Sequence, residues 1–349
     1  MKPTKKVTAL VMAALMFASV MTGCTSSTNS ASSEAGASSA ASAAASSTAS
    51  QEKTTIKVAA LKGPTGLGML KLMSDNDAKT AANNYQFSIV SAPDEIISKI
   101  SSGEIDVAAA PTNLAATLFN KTSGKVQLAA LNTLGVLSIV TNGETISSIK
   151  DLKGKTIVTS GQGAIPEYAL NYILKQNGLE VGKDVKVEYK AEHAEVATLV
   201  ISGKAKIAML PEPFVTQVTT KSKTSKVALD ITKEWDTVVN SKSVLTMGCL
   251  IVRKDFAEKN KDAFNKFLDE YKASADYTNA DAEAAAALSE KYDIMPAAVA
   301  KKAIPNCHIV YIDGADMKSK TADFLDVLFK ANPKSVGGKM PGEDFYYSK

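Results

Sequence analysis

Hydrophobic and polar residues follow the same order at two places in the chain, SSGEIDVAAAPTNLAATL and ISGKAKIAMLPEPFVTQV. An amphipathic segment leads to a glycine in each copy, Gly103 and Gly203. A short apolar run then ends at a proline, Pro111 and Pro211. Glycine often follows the last turn of a helix, and proline is tolerated in the first turn of the next one. The pattern therefore predicts helix, strand and helix, twice.

A second pair of stretches supports the repeat. IKVAALKGPTGLGMLKLM and KTIVTSGQGAIPEYALNYIL each run from strand-like residues through a loop into helical periodicity, with the loops at 63–66 and 160–163. Alternating strands and helices predict an α/β fold of two lobes, in which ligands bind beyond the carboxyl ends of the strands. Thr112, Asn113 and Glu212 follow two such strand ends.

Two apolar stretches, 131–140 and 244–253, are interpreted as strands that pass between the lobes. Gly135 and Gly248 within them are candidate hinge positions, and both stretches are also compatible with ordinary core strands. The predicted divisions are a signal segment 1–24, a linker 25–53, a first lobe 54–138 plus 247–349, and a second lobe 139–246.

The N-terminal segment has the pattern of an export signal. Lys2, Lys5 and Lys6 precede the uncharged apolar run 7–21, which is followed by small residues and Cys24. Residues 25–51 are almost wholly Ser, Ala, Thr and Gly, a composition that favours a flexible linker. We therefore expect an extracytoplasmic protein with a tethered folded part.

Charge and cysteine content narrow the function classes. The formal net charge is +4, and Arg253 is the only arginine. No basic cluster interleaved with aromatic residues occurs, so nucleic-acid binding is not expected. Cys249 and Cys307 are predicted to be buried free thiols, with pairing in an oxidising exterior as the alternative.

Aromatic and aliphatic residues fall at helical spacing in the C-terminal part, which we predict to be largely helical and to pack on the first lobe. These core positions are Phe264, Phe267, Leu268, Tyr271, Phe324, Leu325 and Leu328. The single tryptophan, Trp235, is predicted to pack in the core or near a hinge rather than stack on a ligand. Asn240 and Met247 are weaker candidates for the pocket.

The signal with VMTGC, GPTG after the first strand, DLKGK leading into TIVTSGQG, and the paired strands together resemble ABC-transporter substrate-binding lipoproteins. The resemblance covers the mature chain and is greatest to the type II group that serves sulfonates, taurine, nitrate and thiamine-pyrimidine precursors. It implies two lobes closing on a small molecule, delivery to an ABC permease, a monomer, and lipid attachment at Cys24 as the only contact with the membrane.

The same resemblance implies a set of ligand-binding residues, which are Pro64, Thr65, Gly66, Thr112, Asn113, Ser160, Gly161, Gln162, Gly163 and Glu212. They offer backbone N–H groups at helix starts, hydroxyls and amides. For both glycine loops the alternative is plain turn and capping chemistry. The ligand class stays open between a sulfonate-like anion and a pyrimidine-like amine.

Glu212 lies between Pro211 and Pro213, and two interpretations apply to it. Facing the cleft, its carboxylate would attract an amine or a ring N–H and repel a sulfonate. Alternatively it places charge at the start of the following helix or pairs with a lysine.

The remaining polar residues do not indicate catalysis or a cofactor. His193 and His308 are too isolated for a metal site and are interpreted as surface or strand residues. GPTGLG lacks the spacing of a nucleotide fingerprint. We therefore expect solute capture without catalysis, cofactor or metal. The alternatives are a sensory lipoprotein of the same fold, or an enzyme of the pyrimidine-synthesis or menaquinone-pathway type on that fold.

Overall fold

The computed structural model describes residues 53–240 and 243–349, so the predictions for the signal, for Cys24 and for nearly all of the linker lie outside the described residues. The strands are β1 Thr55–Leu61, β2 Asn84–Val90, β3 Val107–Pro111, β4 Val126–Leu134, β5 Leu137–Asn142, β6 Thr156–Ser160, β7 Lys186–Lys190, β8 Ile207–Pro211, β9 Ser225–Asp230, β10 Thr246–Arg253 and β11 Ile309–Ile312. The helices are α1 Pro64–Leu67, α2 Leu70–Asp77, α3 Pro93–Ser102, α4 Thr112–Lys121, α5 Ile165–Gln176, α6 His193–Ile201, α7 Phe214–Lys221, α8 Ile231–Val238, α9 Lys254–Lys259, α10 Lys261–Ala280, α11 Ala282–Lys291, α12 Ala297–Ala303 and α13 Gly314–Ala331. No helix in these ranges has both the length and the apolar composition that crossing a membrane requires.

The strands form two sheets. One has six strands in the order β11-β4-β10-β3-β1-β2, and the other has five in the order β7-β6-β8-β5-β9. In the first sheet β1 pairs in parallel with β2 and β3, and β10 joins β3 in the antiparallel sense. In the second sheet β6 pairs in parallel with β7 and β8, and β5 joins β8 in the antiparallel sense. The two sheets thus repeat one arrangement, and the predicted α/β class is confirmed.

The repeated helix, strand and helix unit is present in both sheets. α3 ends at Gly103, which adopts the left-handed conformation with φ of 78°, and β3 and α4 come next. α6 is followed by Gly203 with φ of 72°, and then by β8 and α7. Glycine adopts positive φ without the steric cost that a Cβ brings. The local pattern was therefore sufficient to predict these elements.

Two details differ from the sequence prediction. Residues 64–67 form the short helix α1 rather than a loop, because Pro64 begins a helical turn directly after Gly63. β10 lies wholly in the first sheet, so the chain returns from the second sheet before Thr246. The first crossing is the connection Gly135–Val136, between β4 in one sheet and β5 in the other. The lobe boundaries themselves remain a prediction.

The C-terminal part is largely helical, as predicted, and the aromatic and aliphatic residues at helical spacing are buried. α10 packs on α2 and β11, whereas α13 contacts both β4 of the first sheet and α5, which follows β6 of the second. Cys249 and Cys307 are buried free thiols, which confirms that prediction.

Candidate functional site

A cavity of about 310 Å³ lies where the carboxyl ends of parallel strands from both sheets meet. β1 and β3 reach it from the first sheet, and β8 reaches it from the second. Its lining residues are Leu61, Lys62, Gly63, Pro64, Thr65, Pro111, Thr133, Val136, His193, Pro211, Glu212, Pro213, Phe214, Met247, Ile294 and Met295. Parallel strands carry their loops on one edge, so the two sheets together enclose a site that neither forms alone.

Glu212 is the buried carboxyl group of this cavity, with 5% of its surface exposed. Its Oε2 accepts a hydrogen bond of 3.1 Å from the backbone N–H of Thr216 in the first turn of α7. Burial raises the pKa of Glu212, and hydrogen bonds from Thr216 and the charge of His308 oppose that shift in part. One carboxyl group thus accepts a hydrogen bond from the start of α7 and lines the cavity, so its ligand role stays a prediction.

Glu212 is also fixed through its backbone. Its N–H donates a hydrogen bond of 2.9 Å to the carbonyl of Val136, which lies in the connection between the sheets. Pro211 on its N-terminal side pairs with Leu137 of β5. The carboxyl group therefore projects from a backbone that is held on both sides.

His193, Ser160 and Phe214 form a contact group at one wall. The Ser160 hydroxyl and His193 Nδ1 are hydrogen-bonded, and the rings of His193 and Phe214 lie 5.6 Å apart between centroids. Burial lowers the pKa of His193 to about 4, so its imidazole is neutral at neutral pH. Ser160 thus contributes to the site by fixing the His193 ring.

The two repeats differ in the residues directly after the proline. α4 begins at Thr112 immediately after Pro111, whereas Glu212 and Pro213 separate Pro211 from α7. Thr112 is fully buried and shares a hydrogen bond of 2.9 Å with the Thr246 hydroxyl. The Asn113 amide donates to the carbonyl of Ser335, at 3.3 Å. Both side chains are hydrogen-bonded to residues of β10 and of the C-terminal part, and neither lines the cavity.

The second glycine loop also lies away from the cavity lining. Gly161 and Gly163 have φ of 80° and 75°, and Gln162 is exposed. The N–H of Gly163 donates to the carboxylate of Glu167 in α5. The N-cap of α5 is Ala164, which makes no side-chain capping bond, and the Ser160 hydroxyl bonds His193 instead of capping α5. In the first loop Pro64 and Thr65 line the cavity, whereas Gly66 is buried against the carbonyl of Leu61.

The two candidate hinge glycines occupy different positions. Gly135 lies between β4 and β5, where the chain passes from one sheet to the other. Gly248 lies inside β10, at a register irregularity opposite Thr133. A Cβ at Gly248 would come within 2.5 Å of both Asn132 Oδ1 and Thr65 Cγ2. The close approach of Thr65 to β10 thus accounts for a glycine at this position.

A second cavity of about 290 Å³ lies on the other side of the connection and shares Val136 and Glu212 with the first. His308 lines it and donates from Nδ1 to the carbonyl of Gly135. His308 is exposed, which agrees with its interpretation as a surface residue, and it also lines this cavity. His193 is half-buried and lines the first cavity, so it is not an ordinary surface residue. His193 also begins α6 rather than lying in a strand.

Several lining residues were not anticipated from the sequence. Phe214 carried a local signal, since it is an aromatic residue directly after a strand-ending Pro-Glu-Pro. Met247, a weaker candidate, does line the cavity, whereas Asn240 does not. Ile294 and Met295 come from the segment between α11 and α12, where nothing in the local sequence indicates a ligand site.

We expect the buried imidazole of His193 to make stability depend on pH. Its pKa falls from 6.5 to about 4 on folding, so the unfolded chain binds a proton more readily and stability decreases as pH falls from about 6.5 towards 4. Relative to His193→Gln, the wild-type protein should lose roughly 2 kcal/mol between pH 7 and pH 5. Urea unfolding of both proteins at the two pH values measures the difference. A difference that is the same at both values would contradict the assignment.

The chain is similar in sequence to one protein family and in fold to several solved structures. Residues 78–300 match the family described as ABC transporter, phosphonate, periplasmic substrate-binding protein. No curated protein matches the sequence. Among solved structures, an ABC transporter from Parabacteroides distasonis has 23% identity and a TM-score of 0.71, with 85% of this chain and 100% of that chain covered.

Two further structures are named for their ligands. The periplasmic aliphatic sulphonate binding protein SsuA from Escherichia coli is 16% identical with a TM-score of 0.68, over 85% of this chain and 93% of that one. The periplasmic nitrate-binding protein NrtA from Synechocystis PCC 6803 is 14% identical with a TM-score of 0.59, over 82% and 84%. At these identities the likeness concerns the fold, and it confirms the predicted periplasmic-binding-protein architecture.

Proposed function

Since this chain belongs to the family of phosphonate periplasmic substrate-binding proteins of ABC transporters, we propose that it captures one small molecule in the cavity around Glu212 and delivers it to a permease. The observation that carries this proposal is the placement of the cavity, whose walls come from strand ends of both sheets. Its volume of about 310 Å³ suits a small solute. Closure of predicted lobes about Gly135 would enclose such a ligand.

Capture without chemical conversion is the activity that these side chains support. His193, with its pKa lowered to about 4, is a weak base at neutral pH for the Ser160 hydroxyl beside it. Burial raises the pKa of both the Cys249 and Cys307 thiols, which disfavours the nucleophilic thiolate. We therefore propose a binding protein rather than an enzyme.

Ligand capture is tested by removing one wall of the cavity. We expect Phe214→Ala to abolish the thermal shift that a bound ligand produces in the chain from Thr54 onwards, because the ring forms an apolar wall beside His193. A ligand at a hundred times its dissociation constant adds about 2.7 kcal/mol of stability to the wild-type protein. Differential scanning fluorimetry against sulfonates, phosphonates, nitrate and aminopyrimidines measures the shift.

Val181→Ala is the matched control, since Val181 is an exposed apolar residue outside the cavity lining. A ligand whose shift is the same in Phe214→Ala and in the wild-type protein would place binding elsewhere and contradict the proposal.

We further propose that the protein is held at the outer face of the cell membrane by lipid on Cys24. The sequence around Cys24 supports this. Two or more acyl chains anchor a protein stably. We expect Cys24→Ala to abolish incorporation of labelled palmitate and to move the protein from the membrane fraction to the soluble fraction. Ser26→Ala is the control, and labelled Cys24→Ala protein would refute the anchor.

A further inference from the structure

The cavity surrounds the carboxyl group of Glu212, which forms no salt bridge with any residue in the part of the chain that the structure describes. Glu212 is 5% exposed, and Thr216 supplies its nearest hydrogen-bond donor. A buried carboxylate is costly unless a positive or strongly donating group compensates it. A ligand that brings an N–H group to Glu212 would supply that compensation.

The other titratable groups near the cavity do not provide it. The imidazole of His193 is neutral at neutral pH. His308 lines the adjacent cavity, which Glu212 also lines; its charge offsets the effect of burial on the pKa of Glu212 only in part, and its Nδ1 donates to the carbonyl of Gly135. Lys62 lines the cavity but forms a salt bridge of 2.6 Å with Asp293, whose side chain is 90% exposed. The charged groups of the lining thus leave Glu212 available for a ligand.

The one cationic side chain of the cavity lining is Lys62, which is paired with Asp293, so an oxyanion would have to compete for it. Arginine suits phosphonate and sulfonate groups because its guanidinium donates two parallel hydrogen bonds. The single arginine, Arg253, lies at the far end of β10 with Asp106, 3.3 Å away. A phosphonate beside Glu212 would instead place like charges together in a poorly solvated site.

The rest of the wall is apolar. The hydrophobic side chains that line the cavity are Leu61, Val136, Phe214, Met247, Ile294 and Met295. Methionine side chains and an aromatic ring suit the faces of a flat or compact apolar body. The site therefore combines one buried acceptor with an apolar enclosure.

We propose that the cavity selects a compact organic molecule with an apolar body and an amine or amidine head group, which Glu212 receives, and that it discriminates against phosphonates and sulfonates. This inference rests on the proposed function, since it concerns the same cavity. It assigns to this chain a ligand charge opposite to that in the family description.

Two probes with the same ring and opposite head groups test the charge preference. Benzylamine and phenylphosphonate are titrated into the purified protein by isothermal calorimetry at neutral pH. We expect benzylamine to bind at least tenfold more tightly than phenylphosphonate. Because hydrogen bonds to charged groups contribute about 1.5–3 kcal/mol, Glu212→Gln should weaken benzylamine binding by about ten- to a hundredfold.

Glu212→Asp and Glu195→Gln are the matched controls. Glu212→Asp keeps the charge but withdraws it by one methylene, so an intermediate loss is expected. Glu195 is an exposed residue of α6 outside the cavity lining, and Glu195→Gln makes the same charge change without loss of binding. Melting temperatures without ligand show whether each variant is folded.

Three outcomes overturn the inference: tighter binding of phenylphosphonate, no binding of benzylamine, or equal benzylamine affinity of Glu212→Gln and wild type. The Phe214→Ala variant distinguishes a failure of the proposed charge preference from a failure of the proposed function. If phenylphosphonate binds and Phe214→Ala weakens it, ligand capture in the cavity stands and only the charge preference is wrong. If Phe214→Ala leaves every affinity unchanged, the cavity is not the site and both proposals fail.

Discussion

Replacing Trp235 by alanine is expected to lower the free energy of unfolding by about 3–5 kcal/mol, the usual cost of deleting a large buried aromatic side chain. Trp235 is fully buried in α8. Its ring centroid lies 5.2 Å from that of Tyr172 in α5 and 5.7 Å from that of Phe324 in α13. The cluster joins α5 and α8 to the C-terminal helix α13. Movement of one helix alone therefore cannot fill the cavity that alanine leaves.

The experiment is urea or thermal unfolding followed by far-ultraviolet circular dichroism, because the variant lacks its only tryptophan fluorophore. Trp235→Phe should cost much less, since it keeps a ring and removes an indole N–H for which the described residues provide no acceptor. Val181→Ala, at an exposed position, should change stability by no more than about 0.5 kcal/mol. A loss below about 1 kcal/mol in Trp235→Ala would contradict the proposed importance of the cluster.

Gly68→Ala is expected to destabilise the protein by about 3 kcal/mol, the upper part of the usual range for an overpacked core. The backbone of Gly68 has φ of −66°, which alanine adopts freely, so the cost is steric. The added Cβ would lie 2.2 Å from the hydroxyl oxygen and 2.9 Å from Cζ of Tyr271. Tyr271 is fully buried in α10, so its ring can move only if the residues packed around it move as well.

A double-mutant cycle with Tyr271→Phe checks this mechanism. Removing the hydroxyl eliminates the 2.2 Å contact but leaves the 2.9 Å contact, so Gly68→Ala should cost less in the Tyr271→Phe background. Unfolding free energies of the four proteins give the coupling. Additive effects of the two substitutions would show that the destabilisation has another cause.

The secondary structure of the repeat could be predicted because its signals are local. Gly103 and Gly203 take the left-handed conformation after helices, and Pro111 and Pro211 end strands. Each of these features depends on backbone sterics within a few residues. The two-sheet fold followed from their repetition.

The candidate site was harder to predict because it depends on where each side chain is placed and on segments that are far apart in the sequence. Glu212 and Thr112 occupy equivalent places directly after the two prolines, yet only Glu212 lines the cavity, because Thr112 is already the first residue of α4 and is hydrogen-bonded to Thr246. Ile294 and Met295 reach the cavity from the C-terminal part through tertiary packing alone. The position of His193 could not be predicted from its local sequence, because the residues it contacts, Phe214 and Ser160, are distant in sequence.

The hydrogen bond from the Glu212 N–H to the Val136 carbonyl links the proposed ligand-binding residue to the connection between the two sheets. Under the proposed function, ligand binding and separation of the two sheets are therefore coupled. A permease that separated the sheets at this connection would also move the Glu212 carboxylate away from the proposed ligand. Ligand release would then need no separate conformational signal.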